Sequence, residues 1–161
     1  MENKNRCAWC EKDDLYRNYH DNEWGKPVYD DETIFEFLIL ETFQAGLSWY
    51  TVLAKRENFR KAFDNFDLKK IANYSEDKMA ELAEDTGIIR NKLKIKATVT
   101  NAQAFINVQE EFGTFSKYIW GFVDGKPIDN KPKTLSEVKA TTPISDALSK
   151  DLKKRGFKFV G

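Results

Sequence analysis

Residues 41–49 read Glu-Thr-Phe-Gln-Ala-Gly-Leu-Ser-Trp, and this stretch decides how the chain is organised. Upstream, Asp31 and Glu32 lead into Ile34, Phe35, Leu38 and Ile39, apolar at helical spacing, so a helix runs into the stretch and carries Glu41 near its C-terminal end. Gln44, Ala45 and Gly46 break the period and turn the chain. Ser48 then suits the N-cap of a second helix holding Trp49, Val52 and Leu53. A carboxylate, a glycine turn, an exposed Leu47 and a large indole are thereby held between two helices. Opposed to each other, the carboxylate and the indole would suit a flat, cationic, hydrogen-bonding ligand. The plain alternative is a helix hairpin with Trp49 in the core and Glu41 on the surface.

The chain has 161 residues, enough for one domain with a core of its own. Hydrophobic residues make up 41% and charged residues 32%, which fits a folded globular chain and excludes a disordered one. No apolar run approaches membrane-spanning length, and the N-terminus, MENKNRCAWC, is too polar for a signal peptide. Two cysteines and no export signal point to a reducing cytoplasm. The net charge is zero, but it is unevenly spread. Residues 1–86 hold 12 Lys and Arg against 19 Asp and Glu, a net of −7, whereas residues 87–161 hold 14 against 7, a net of +7. Such a chain can turn one basic face to phosphates, or can simply carry an ordinary charged surface.

From Asn91 to about Phe112 the apolar spacing of Ile95, Val99, Ala102, Phe105 and Ile106 predicts a long helix. Ser75 opens a preceding helix that ends at Thr86-Gly87. Between the two lies Gly87-Ile88-Ile89-Arg90-Asn91-Lys92. A tight helix–hairpin–helix exposes backbone amides at a helix N-terminus, where a phosphate binds well. Arg90, Lys92, Lys94 and Lys96 would add charge-assisted contacts, unless they form only a solvated basic face. Ser48 to Phe63 reads as one amphipathic helix, Asp124 to Pro132 as a loop, and Pro143 onward as a helix with proline in its first turn. The fold class expected is all-α, a single helical domain over 1–161.

Three motifs together carry a resemblance: Tyr19-His-Asp-Asn-Glu-Trp-Gly25, the stretch 41–49, and Gly156-Phe-Lys-Phe-Val-Gly161. In this order they resemble the 3-methyladenine DNA glycosylase I family, over nearly the whole chain from Cys7 onward. The resemblance implies a helix–hairpin–helix DNA glycosylase fold and excision of 3-methyladenine from double-stranded alkylated DNA, with the free base as product. It places Tyr16, Tyr19 and Trp9 around the base pocket; there a buried Glu41 is the expected catalytic carboxylate, with Tyr19 as a hydrogen-bond partner and Trp49 stacked on the base. It places Gly46 and Leu47 in the gap left by an extruded base, with Gly87, Arg90 and Lys92 on the DNA.

The family also implies a structural zinc, held by an N-terminal Cys, the His of the Tyr-His-Asp motif, and a His and a Cys from a C-terminal segment. Cys7 and His20 match the first pair, and nothing up to Gly161 supplies the second. Two free thiols and a hydrogen-bonded histidine account for Cys7, Cys10 and His20 equally well. No organic cofactor and no membrane partner are expected, and a monomer is the default. Two other function classes fit the same residues: a non-catalytic helix–hairpin–helix DNA-binding module, and an aromatic pocket for a small cationic metabolite.

Overall fold

The computed structural model describes residues 4–161; Met1 to Asn3, part of the polar N-terminus weighed above, lie outside them. Among the described residues the regular elements are all helical. In chain order they are α1 (Asp14–Asn22), α2 (Asp31–Gln44), α3 (Trp49–Ala54), α4 (Arg56–Ala62), α5 (Leu68–Ala72), α6 (Glu76–Ala83), α7 (Lys92–Phe112), α8 (Phe115–Trp120) and α9 (Pro143–Lys154), with short 3-10 turns between them. The all-α expectation holds.

Local chemistry sets most of the boundaries. The side chains of Ser48, Ser75 and Asn91 accept the backbone N–H of Thr51, Lys78 and Lys94 at the starts of α3, α6 and α7. Each satisfies one of the donors that a helix N-terminus leaves open. Thr142 and Ser145 bond reciprocally in a capping box around Pro143.

Two boundaries differ from the sequence reading. The segment 48–63 is two helices, because Lys55 leaves helical geometry at φ −101°, ψ 4°. The break lets Val52 and Leu53 bury on one heading and Phe59 on another, its ring 4.8 Å from that of Phe43. Helix α6 stops at Ala83 rather than at Thr86, and successive turns carry the chain onward from Glu84. Between α4 and α5, Asp64, Asn65 and Phe66 all adopt left-handed φ, between 52° and 57°. This strained turn is held by the burial of Phe66 and by Tyr74, whose hydroxyl donates to Asp64 Oδ2 at 2.6 Å.

One continuous core joins α2 to α9. Phe35, Ile39, Leu40 and Phe43 of α2 are all 1% exposed or less. Phe105 of α7 stacks on Phe115 of α8 with ring centroids 4.1 Å apart and packs edge-on against Phe35. Burying each of these rings is worth about 1.5–3 kcal/mol. Helix α7 is buried around most of its circumference, down to the small residues Ala97, Ala102 and Ala104 and the amide of Asn101. That amide grips Lys158 by both backbone groups, at 2.8 and 3.1 Å, and so fixes the C-terminal stretch against α7.

Asp31 ties α2 to α8. Its carboxylate accepts from Phe115 N–H (2.9 Å), Ser116 N–H (2.8 Å) and Gln109 Nε2 (2.9 Å). Asp31→Ala strands these donors and is expected to lower unfolding stability by about 2–3 kcal/mol, whereas removal of the exposed N-cap of the same helix, Asp30→Ala, costs about 1 kcal/mol. Urea denaturation of both variants checks the ordering.

Candidate active site

The C-terminal turn of α2 delivers Glu41 to the surface and then reverses. Ala45 (φ −49°, ψ 118°) and Gly46 (φ 78°) form the centre of a type II turn, closed by Leu47 N–H donating to Gln44 O at 2.6 Å. The second central position needs positive φ, which is why glycine stands there. No atom lies within 4 Å of where a Cβ on Gly46 would sit, so the requirement is conformational rather than one of space. Leu47 follows with 43% of its surface exposed.

Lys94 reaches this turn from the first turn of α7. It is only 5% exposed, and its Nζ donates to Phe43 O at 2.8 Å and to Ala45 O. Burial pulls its pKa below the usual lysine value. It therefore belongs to the fold and not, as the sequence suggested, to the phosphate-facing set. Arg90, Lys92 and Lys96 are exposed. In the same hairpin Ile88 is buried and Gly87 N–H donates to Asp85 Oδ1 at 2.8 Å, so a rigid turn presents the three cations.

Glu41 is open to solvent rather than buried. It lines a cavity of about 320 Å³ with Tyr19, Glu23, Trp24, Phe37 and Leu38, and an adjoining one of about 430 Å³ with Gln44, Gly46 and Leu47. Contact with a first layer of water does not amount to full hydration. The surrounding walls displace the water beyond it, and this desolvation raises the Glu41 pKa. Tyr19 is 9% exposed, and burial together with the Glu41 charge pushes its hydroxyl to about 12, so it stays protonated and can donate. Glu23 is held at the cavity wall by a bidentate pair with Arg56, at 2.7 and 3.0 Å.

An aromatic body stands behind this wall. Trp9 lies 4.9 Å from Tyr16, 6.4 Å from Tyr19 and 5.2 Å from Trp24, and Tyr19 lies 5.6 Å from Trp49, all between ring centroids. The structure thus gathers the aromatic residues picked from sequence. Trp9, Tyr16 and Trp49 do not, however, line either cavity that Glu41 lines, and Trp49 meets this wall through Tyr19. Trp49 Nε1 is the one buried side-chain nitrogen or oxygen left without a hydrogen-bond partner among the described residues.

Sequence reading missed two supports. Asp13 caps α1 by accepting from Tyr16 N–H at 2.9 Å, and its other carboxylate oxygen accepts from the Tyr50 hydroxyl, which links the tyrosine helix to the tryptophan helix. Lys94 was missed because a lysine among lysines carries no pattern that marks it as buried.

His20 stacks on Trp24, and its Nδ1 lies 3.0 Å from Asp21 Oδ1. Asp21 is gripped by Arg6, which holds its carboxyl well below the usual range. This orients the ring, as a histidine ligand is oriented by a carboxylate behind it. Cys7 is half-buried, and Cys10 is fully buried with its thiol donating to Cys7 O at 3.1 Å. A structural zinc needs four ligands. Among the described residues no three His, Cys, Asp or Glu side chains are grouped to hold an ion. Cys7 and His20 thus fit half a site at most.

The family described as Methyladenine glycosylase matches residues 9–161. DNA-3-methyladenine glycosylase 1 of Escherichia coli strain K12 is 49% identical over 156 residues, covering 97% of this chain and 83% of the relative. The DNA-3-methyladenine glycosylase of Haemophilus influenzae is 47% identical, over 97% and 84%. A crystal structure of 3-methyladenine DNA glycosylase I superposes with a TM-score of 0.94 at 48% identity, covering 98% of this chain and 86% of that one. The Staphylococcus aureus enzyme, whose structure concerns 3-methyladenine recognition, gives 0.94 at 39%, over 98% and 84%.

The raised pKa of Glu41 has a consequence for stability. Between the ordinary carboxylate pKa and the raised one, the folded chain binds more protons than the unfolded chain, so this group's contribution to stability falls as pH rises through that window. Glu41→Gln is therefore expected to melt at a higher temperature than the parent at about pH 7.5, with the difference vanishing near pH 4. Thermal denaturation at the two pH values reads this directly, and a lower melting temperature at the higher pH would contradict it.

Proposed function

The chain belongs to the methyladenine glycosylase family, and we propose that it hydrolyses the N-glycosidic bond of 3-methyladenine in alkylated double-stranded DNA, releasing the free base and leaving an abasic site. The observation that carries this reading is Glu41: an exposed but incompletely hydrated carboxylate in a wall shared with Tyr19 and Trp24, next to a leucine-bearing turn and a basic helix–hairpin–helix.

An adenine alkylated at N3 is cationic while bonded to its sugar. When the C1′–N9 bond breaks, its electron pair passes into the ring, and the base leaves neutral. Water bonds to C1′ and gives up a proton to solvent. Little acid catalysis is required, and the protein's work is selection and positioning. Glu41 accepts a hydrogen bond from the polar edge of the purine and attracts its charge. Tyr19, protonated throughout the neutral range, donates beside it. Trp49, joined to Tyr16 and Trp9 through Tyr19, offers the aromatic face. The unbonded Trp49 Nε1 supports a surface that receives a ligand rather than a closed core. Stacking is worth about 1–3 kcal/mol per base, and a desolvated cation–π contact adds about 2 kcal/mol that neutral adenine forfeits. That difference is about thirtyfold in selection.

The base reaches this site only outside the duplex stack. Leu47, carried by the Gly46 turn, fills the gap, while Arg90 and Lys92 hold phosphates at the start of α7 with the Gly87 turn behind them. A cytoplasmic location accords with two free cysteines and with the absence, among the described residues, of any helix long and apolar enough to cross a membrane. Zinc rests on the family pattern alone, with Cys7 and the oriented His20 as two of its four ligands.

The test is to incubate the chain with methylated duplex DNA and identify any base released. Free 3-methyladenine is expected. Binding with no release would leave a DNA-binding module, and no DNA binding would leave a pocket for a cationic metabolite. Glu41→Gln is expected to cut single-turnover excision at least a hundredfold while abasic-DNA affinity stays within about threefold. Equal loss of both would rule out a base-specific role for the carboxylate.

A further inference from the structure

The carbonyl of Ala45 and the N–H of Gly46 belong to one planar trans peptide, so the two groups point in opposite directions. Type I and type II turns differ chiefly in which way this central peptide faces. At residues 44–47 the peptide is in the type II orientation, and its carbonyl is bonded to the buried ammonium of Lys94. Gly46 N–H is thereby turned to the side away from Lys94. The same ammonium holds Phe43 O at 2.8 Å, one of the carbonyls that the end of α2 leaves open. It lies in the first turn of α7, where its own helix dipole disfavours a cation, and the carbonyl end of α2 offsets this.

From this geometry we infer that Lys94 is a positioning residue for base extrusion: it sets the peptide orientation of the 44–47 turn, and through it the aim of Leu47 relative to the phosphate-binding start of α7. Lys94 touches neither base nor sugar. It joins the two elements that meet the duplex, with its backbone N–H on the Asn91 cap and its side chain on the turn. Contact of Lys92 and Arg90 with phosphate and entry of Leu47 into the stack are thus made by one rigid body. The inference rests on Leu47 entering the gap, as proposed above.

The test uses duplex DNA carrying a tetrahydrofuran abasic analogue, with free 3-methyladenine as a second probe. Lys94→Met is expected to weaken abasic-duplex binding about tenfold while leaving affinity for the free base within about twofold, and Lys94→Arg is expected to recover most of the loss. Because Lys94 acts through the turn, Lys94→Met combined with Leu47→Ala is expected to bind no more weakly than Leu47→Ala alone. Additive losses, unchanged duplex binding by Lys94→Met, or equal loss for duplex and free base would each overturn the inference. Should the methionine variant not fold, Lys94→Gln carries the same comparison. Failure of the functional reading is read separately: the wild-type chain would release no base. The peptide assignment is then still tested by amide NMR. Lys94→Met is expected to shift the Gly46 and Leu47 resonances, and unmoved resonances would overturn it.

Discussion

A helix that buries most of its length must still end somewhere, and the end of α2 is the constraint on which the rest of this structure depends. Phe35, Ile39, Leu40 and Phe43 fix α2 in the core, so its last turn cannot drift. Its terminal carbonyls have no partners within the helix. Lys94 supplies one from α7, and the chain can then reverse sharply at Gly46 instead of fraying. Leu47 is consequently held rigidly against the helix–hairpin–helix, although it does not belong to it, while Glu41, earlier on α2, is placed by that helix's core contacts. A single buried cation makes one frame of the turn that enters the stack and the part that grips the backbone.

Rigidity matters because the chemistry asks little of any proton donor. The substrate brings its own leaving-group activation in its positive charge, and the protein has only to distinguish that charge and hold the nucleotide where water can reach C1′. An incompletely hydrated carboxylate suits this task. In bulk water two charges 4 Å apart attract by about 1 kcal/mol, and near a protein surface by about 4 kcal/mol. Glu41 forgoes some hydration, which the raised pKa registers as a cost in the empty site, and a cationic ligand restores the balance. The aromatic body adds discrimination of the same sign, since its ring faces favour the same charge. Tyr19 belongs to both parts, buried against Trp49 and lining the cavity with Glu41.

Much of this was legible in the sequence because it obeys local rules. Ser48, Ser75 and Asn91 announce their helices by hydrogen-bonding chemistry that acts within four residues. Gly46 announces its turn by needing positive φ. The aromatic residues were recognisable as a group through resemblance, and the structure brings them together. What was not legible depends on long-range contacts. The break at Lys55 is imposed by where Phe43 offers a surface, and nothing between Ser48 and Phe63 encodes it. Lys94 has the composition of a phosphate contact and is buried by a partner 49 residues away. The Tyr50–Asp13 link joins residues 37 apart and leaves no periodic trace. Glu41 was expected to be buried and is open, because the fold places it at the junction of two cavities rather than beneath them.

The central claim is that a carboxylate and a packed aromatic wall together select an electron-poor, methylated purine over the ordinary one. Titration of the wild-type chain with the cationic 3,9-dimethyladeninium ion, which keeps the charge of the N3-alkylated nucleotide, and with neutral 9-methyladenine, followed through tryptophan fluorescence, tests it most directly. Saturable quenching by the cation is expected, with the neutral base binding at least about tenfold more weakly. Equal affinity for the two bases, or saturation by neither, would contradict it.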